Sequence, residues 1–216
     1  YRRGYFDLIF PGGLNDVGLP SYQDAHAQWR SPLWGGQARL LVFGSQDFLS
    51  TRSNGTSRSW DSAFVTAGMA WERRLGDWRL EAKFSASDAR MALDLGPDLH
   101  LERRTYAWLA AVQGDAYFEG GHSVTTGLQW QQTRTILNGT FARLPVELGT
   151  GIAFNDLTRS SVSALGSKAV NSMWAQDRWQ FMPAVAMTLG ARLDFVDISS
   201  EWHASPRWAL DVETWE

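Results

Sequence analysis

Apolar and polar residues trade places at every step of WRLEAKFSASD, residues 78 to 88. Trp78, Leu80, Ala82, Phe84 and Ala86 hold one parity, and Arg79, Glu81, Lys83, Ser85 and Ser87 hold the other. An extended chain sends successive side chains to opposite faces, so the pattern predicts a strand with one greasy and one wet face. It recurs at 185 to 195, where Val185, Met187, Leu189, Ala191, Leu193 and Phe195 oppose Ala186, Thr188, Gly190, Arg192 and Asp194. Val124, Thr126, Leu128 and Trp130 likewise oppose Thr125, Gly127, Gln129 and Gln131, and Ala63, Val65, Ala67, Met69 and Trp71 oppose Thr66, Gly68, Ala70 and Glu72. Ten strands are predicted, at 1 to 10, 22 to 31, 37 to 48, 60 to 73, 78 to 88, 101 to 117, 122 to 135, 170 to 181, 185 to 196 and 206 to 215, with helix nearly absent.

Soluble antiparallel sandwiches alternate too, so length and connection must decide. A strand that crosses a bilayer at a tilt needs about 9 to 11 residues, against about 5 or 6 for an average soluble strand. Most of these candidates are of the longer kind. Short links at 32–36, 74–77, 119–121 and 182–184 alternate with longer, Gly-, Pro-, Asn-, Asp- and Ser-rich links at 11–21, 49–59, 89–100, 136–169 and 197–205. Outer-membrane barrels alternate short periplasmic turns with long extracellular loops in this way. The fold class expected is therefore all-β, a transmembrane antiparallel β-barrel. Trp29 and Trp34, Trp71 and Trp78, and Trp179 lie near the short links, where amphipathic rings form a belt at the headgroup boundary; two of these pairs are expected to face each other across a hairpin.

Composition fits that picture. The 216 residues include 12 Trp and 20 Gly, which suit strands, tight turns and a belt. A mean hydropathy of -0.28 is too polar for membrane helices but natural for strands with half their side chains in a wet lumen. A net charge of -3 without Lys/Arg clustering gives no footprint for nucleic acid, and zero Cys removes disulfides, thiolate metal sites and cysteine nucleophiles. The chain starts at Tyr1 on what reads as a strand, and a portion of a longer protein is expected; residues 1–216 form one partial barrel domain.

No motif predicts catalysis. His203 and Ser205 share a face if extended, but no third group orients the His, and the simpler reading is a loop entering a strand at Pro206. Asp98 with His100, and His122 with Ser123, sit beside predicted strand ends. His26, His100, His122 and His203 lack metal-ligand spacing. No enzyme, metal or cofactor is expected. Asn54-Gly55-Thr56 and Asn138-Gly139-Thr140 read as turns before they read as glycosylation sites. Arg79, Glu81, Lys83, Arg192 and Asp194 form an expected inward charge ladder. The 136–169 link, with Phe141, Leu144, Val146, Leu148, Ile152 and Phe154, is expected to be an extracellular loop contributing to ligand capture.

Ala175, Gln176, Asp177 and Trp179, followed by Leu189, Gly190, Arg192 and Asp194, resemble a late barrel hairpin of TonB-dependent outer-membrane receptors. Ser205-Pro206-Arg207 resembles the opening of the family's next strand, and residues 22–49 are similar to another hairpin. The resemblance implies a 22-stranded barrel, roughly ten strands of it present here, in the bacterial outer membrane. It further implies a plug domain facing the inward charges, a TonB-type energy transducer, and uptake of a scarce nutrient, either a small metal chelate or a glycan. A closing strand with a terminal aromatic is the family habit, and here Trp215 is followed by Glu216. Outer-membrane lipid and other outer-membrane proteins are the remaining expected partners; ligand-binding residues are not indicated. The competing expectations are a self-contained small barrel acting as an enzyme or adhesin, and a soluble sandwich whose apolar faces meet each other.

Overall fold

The computed structural model describes residues 2–3, 20–53, 56–96, 99–142 and 159–212. They form one antiparallel sheet in which each strand pairs with the next in the chain: β1 (Arg2–Arg3), β2 (Ser21–Leu33), β3 (Gly36–Ser53), β4 (Thr56–Leu75), β5 (Trp78–Asp94), β6 (Leu99–Phe118), β7 (His122–Ala142), β8 (Arg159–Met182), β9 (Val185–Val196) and β10 (Glu201–Val212). The sheet does not close, since β10 pairs only with β9 among the described strands.

Register carries each strand's apolar parity onto the same face. Ala38, Trp71, Ala82, Val112, Leu128, Met173, Leu193 and Ala204 lie opposite one another in sequence across eight strands. The adjacent row runs Arg39, Ala70, Lys83, Ala111, Gln129, Ser172, Asp194 and His203. A slip of one residue anywhere would turn grease inward, so the alternation itself fixes the pairing.

No described residue covers the apolar face. Leu128 is 62% exposed, Val112 55% and Trp208 78%, and the described residues contain no large, fully buried side chain. The sandwich expectation fails here, because a second layer would have buried these residues. A single sheet with a continuous apolar face is stable only where the surroundings are themselves apolar.

On the apolar face of β5 the greasy run ends between Ala86 and Asp88, and on β6 between Tyr106 and Arg104. From Trp78 to Ala86 is about 27 Å of strand, or about 20 Å of height at a tilt near 45°. The strands do not stop there. β5 continues to Asp94, and β8 starts at Arg159, ten residues before Ala169. This corrects the predicted long links: 49–53, 56–59, 89–94, 99–100, 136–142 and 159–169 are strand, while 11–19, 54–55, 97–98 and 143–158 lie outside the described residues, and β10 begins at Glu201 and not at Pro206. Beyond the apolar band polar residues occur on both faces, so alternation, the signal used to find strands, is lost while pairing continues. Asn138-Gly139-Thr140 is likewise in β7, not in a turn, with Ser163 Oγ donating to Asn138 Oδ1 at 2.9 Å; Asn54 and Gly55 lie outside the described residues.

The short links appear where expected, at Trp34-Gly35, Gly76-Asp77, Glu119-Gly120-Gly121 and Pro183-Ala184. Trp rings gather at that rim. Trp78 meets Phe118 edge-on at 6.4 Å and Trp179 lies parallel to His122 at 5.4 Å. The rings do not pair across hairpins, however, since Trp78 stands opposite Leu75 and Trp71 opposite Ala82.

Candidate functional site on the polar face

Parity brings the polar residues of nine strands to one surface, and their side chains tie it together. Near the short-turn rim, Asp115, only 6% exposed, accepts from Arg79 Nε at 3.2 Å, Thr125 Oγ1 at 2.9 Å and Gln113 Nε2 at 3.1 Å. A carboxylate so enclosed requires such donors, because leaving a buried charge unmet costs more than any one bond returns. Glu81 stands 2.8 Å from Lys83 Nζ and 3.9 Å from Arg39. The expected ladder of Arg79, Glu81 and Lys83 is thus joined by Arg39, Glu72 and Asp115, which parity would have indicated had the neighbouring strands been aligned.

A cleft of about 440 Å³ lies further round, over β6 to β10. Its wall includes Gln113, Trp174, Gln176, Arg192, Ser205 and Arg207. Trp174 leans over its cross-strand partner Gly127, where a Cβ would collide with the ring. Arg192 donates to Asp194 at 2.9 Å and to Ser172 Oγ at 2.9 Å, with its guanidinium 5.7 Å from the Trp174 ring centroid. Arg207 donates to Gln176 Oε1 at 3.4 Å. Arg192 and Asp194, two residues apart on β9, are therefore paired with each other across one rung of the ladder.

The catalytic candidates do not assemble. His203 and Ser205 share the polar face, as extended geometry requires, but His203 faces Glu201 at 3.7 Å and no hydrogen bond joins it to Ser205 among the described residues. His122 and Ser123 point to opposite faces; the His122 Nδ1 partner is Asp177 Oδ2 at 2.7 Å, at the aromatic rim of the apolar face. His100 stands 3.5 Å from Asp94, and Asp98 lies outside the described residues. No group of three metal-ligating side chains occurs among the described residues.

No family model and no curated protein matches the chain. Solved structures do. The outer membrane transporter YddB from Escherichia coli aligns over 88% of this chain and 29% of its own, at a TM-score of 0.66 and 9% identity. The siderophore receptor PiuA from Acinetobacter baumannii aligns over 89% of this chain and 39% of its own, at 0.58 and 9%. The fold is the wall of an outer-membrane β-barrel. At this identity the likeness is one of fold. The wall described here spans well under half the length of those two structures.

Proposed function

We propose that this chain is part of the barrel wall of a TonB-dependent outer-membrane receptor, which takes up a scarce nutrient such as a metal chelate or a glycan. The observation that carries the reading is the uncovered apolar face backed by a paired, polar one. That division suits a wall between lipid and a hydrated interior, and the likeness to a transporter and a siderophore receptor supports transport as the use of that interior. In lipid, every backbone N–H and C=O needs a partner. The outer edge of β10 offers a row of them without one in the described sheet, and in lipid that edge would need a partner strand. The likeness to two structures far longer than this wall supports a large barrel over a self-contained one acting as an enzyme or adhesin.

In the proposed orientation the short turns are periplasmic and the long connections extracellular. The plug and transducer supply the moving parts, and this segment supplies the fixed surface against which they move. The test uses cells lacking the intact protein. Uptake of ferric siderophores and of oligosaccharides is compared in the deletion strain, the complemented strain, and a complemented strain without its energy transducer. One substrate is expected to be lost in the first, restored in the second and lost again in the third. Uptake that persists without the transducer overturns the energised mechanism, and unchanged uptake of every substrate overturns transport.

A further inference from the structure

Like charges directly opposite each other weaken a sheet. Three arginine pairs stand so among the described residues: Arg30 opposite Arg39, Arg74 opposite Arg79, and Arg90 opposite Arg104. The last pair is neutralised at both members, Arg90 by Glu102 at 3.1 Å and Arg104 by two bonds to Asp88 at 3.0 and 2.6 Å. The other two are neutralised at one member only. Arg39 reaches Glu72 at 3.4 Å and Arg79 reaches Asp115 at 3.1 Å, while Arg30 and Arg74 meet no carboxylate among the described residues.

Both unneutralised arginines open onto one cleft of about 520 Å³ at the short-turn rim, shared with Arg39 and Arg73. Four guanidiniums and a single carboxylate, Glu72, line it, in a chain whose net charge is -3. The floor is held in place. Trp34 and Gly35 turn with φ of 50° and 71°, and two β4 side chains grip that turn: Trp71 Nε1 donates to Leu33 O at 2.9 Å and Arg73 Nη1 to Trp34 O at 3.1 Å. Gly36 has no room for a Cβ, with Trp71 Nε1 2.9 Å from where it would stand. The arginines thus surround a fixed surface, and their planar forks match tetrahedral oxyanions in paired hydrogen bonds.

We propose that this cleft binds a phosphate-type oxyanion, whose charge relieves the two half-neutralised arginine pairs. Its source is either the phosphate of an inner-leaflet phospholipid, reached by way of Arg73 on the apolar parity, or a soluble phosphate compound in the lumen mouth, reached by Arg30 and Arg74. The chemistry rests on the geometry alone; only the periplasmic placing rests on the function proposed above.

Pyrophosphate is titrated calorimetrically into the intact protein in a neutral detergent. Saturable binding is expected, at least about tenfold weaker in the Arg30→Gln/Arg74→Gln double variant and unchanged in Arg90→Gln. Repeating the titration in phosphatidylcholine discs, with and without phosphatidylglycerol, separates the sources. Competition by phosphatidylglycerol that Arg73→Gln abolishes assigns the lipid, and equal affinity in both discs assigns the soluble anion. Absence of binding by the intact protein overturns the site, as does equal affinity in a double variant that retains heat-modifiable barrel mobility. Neither outcome depends on uptake, so the transport reading stands or falls separately.

Discussion

Leu128 lies in the middle of the eight-strand apolar row, between Val112 and Met173, and is 62% exposed on a face that nothing in the described chain covers. If lipid covers it, Leu128→Arg places a guanidinium near the bilayer midplane, which costs about 2 to 4 kcal/mol in barrel proteins. That corresponds to a folding equilibrium roughly 30- to 900-fold less favourable. Gln131, three residues along β7 on the opposite parity, is exposed on the polar face, so Gln131→Arg should change stability by no more than about 0.5 kcal/mol. The assay is equilibrium urea unfolding of the intact protein in phospholipid vesicles, read by gel mobility of unheated samples. The asymmetry between two arginines three residues apart is the point of the measurement. Equal cost at both sites, or a larger cost at Gln131, would refute the assignment of faces.

Because these 216 residues hold no Cys, single cysteines placed here report on either face without background from this segment. Lys83→Cys should react with a membrane-impermeant maleimide in vesicles and Phe84→Cys should not; equal labelling contradicts the orientation. Gly127→Val drives a side chain into the Trp174 ring and should cost about 1 to 3 kcal/mol, most of it recovered in the Gly127→Val/Trp174→Ala pair. A full cost in both backgrounds means the ring is not what fills the space. Asp115→Ala strips partners from Arg79, Gln113 and Thr125 and should destabilise the folded barrel by about 1 to 3 kcal/mol in the same urea assay, and a neutral result would show that water already satisfies these groups. Deleting residues 143–158 should lower nutrient uptake while leaving heat-modifiable mobility intact; undiminished uptake removes that segment from ligand capture.

Nine long strands and their order were legible in the sequence because lipid and water enforce opposite preferences on adjacent residues, and β5 and β9 record that contrast almost without error. Strand ends were not legible. In β8, RSSVSALGSKA pairs fully with β7 although polar and apolar residues mix on both its faces, so no contrast marks it. The polar cluster was half legible. Arg79, Glu81, Lys83, Arg192 and Asp194 announce themselves by parity within one strand. Asp115, Arg39 and Arg30 matter through cross-strand register, which depends on turn positions such as Trp34-Gly35 and cannot be counted along a single strand. His122 was noticed for the wrong neighbour: Ser123 follows it in the chain, whereas Asp177, fifty-five positions away, meets it in space.

The 24 residues of β8 amount to about 80 Å of extended chain, or about 55 Å of height at a 45° tilt, against an apolar belt about 25 Å tall. In the proposed orientation the surplus stands above the cell surface as a hydrogen-bonded stockade. A molecule drifting toward the cell meets that palisade before it meets the bilayer.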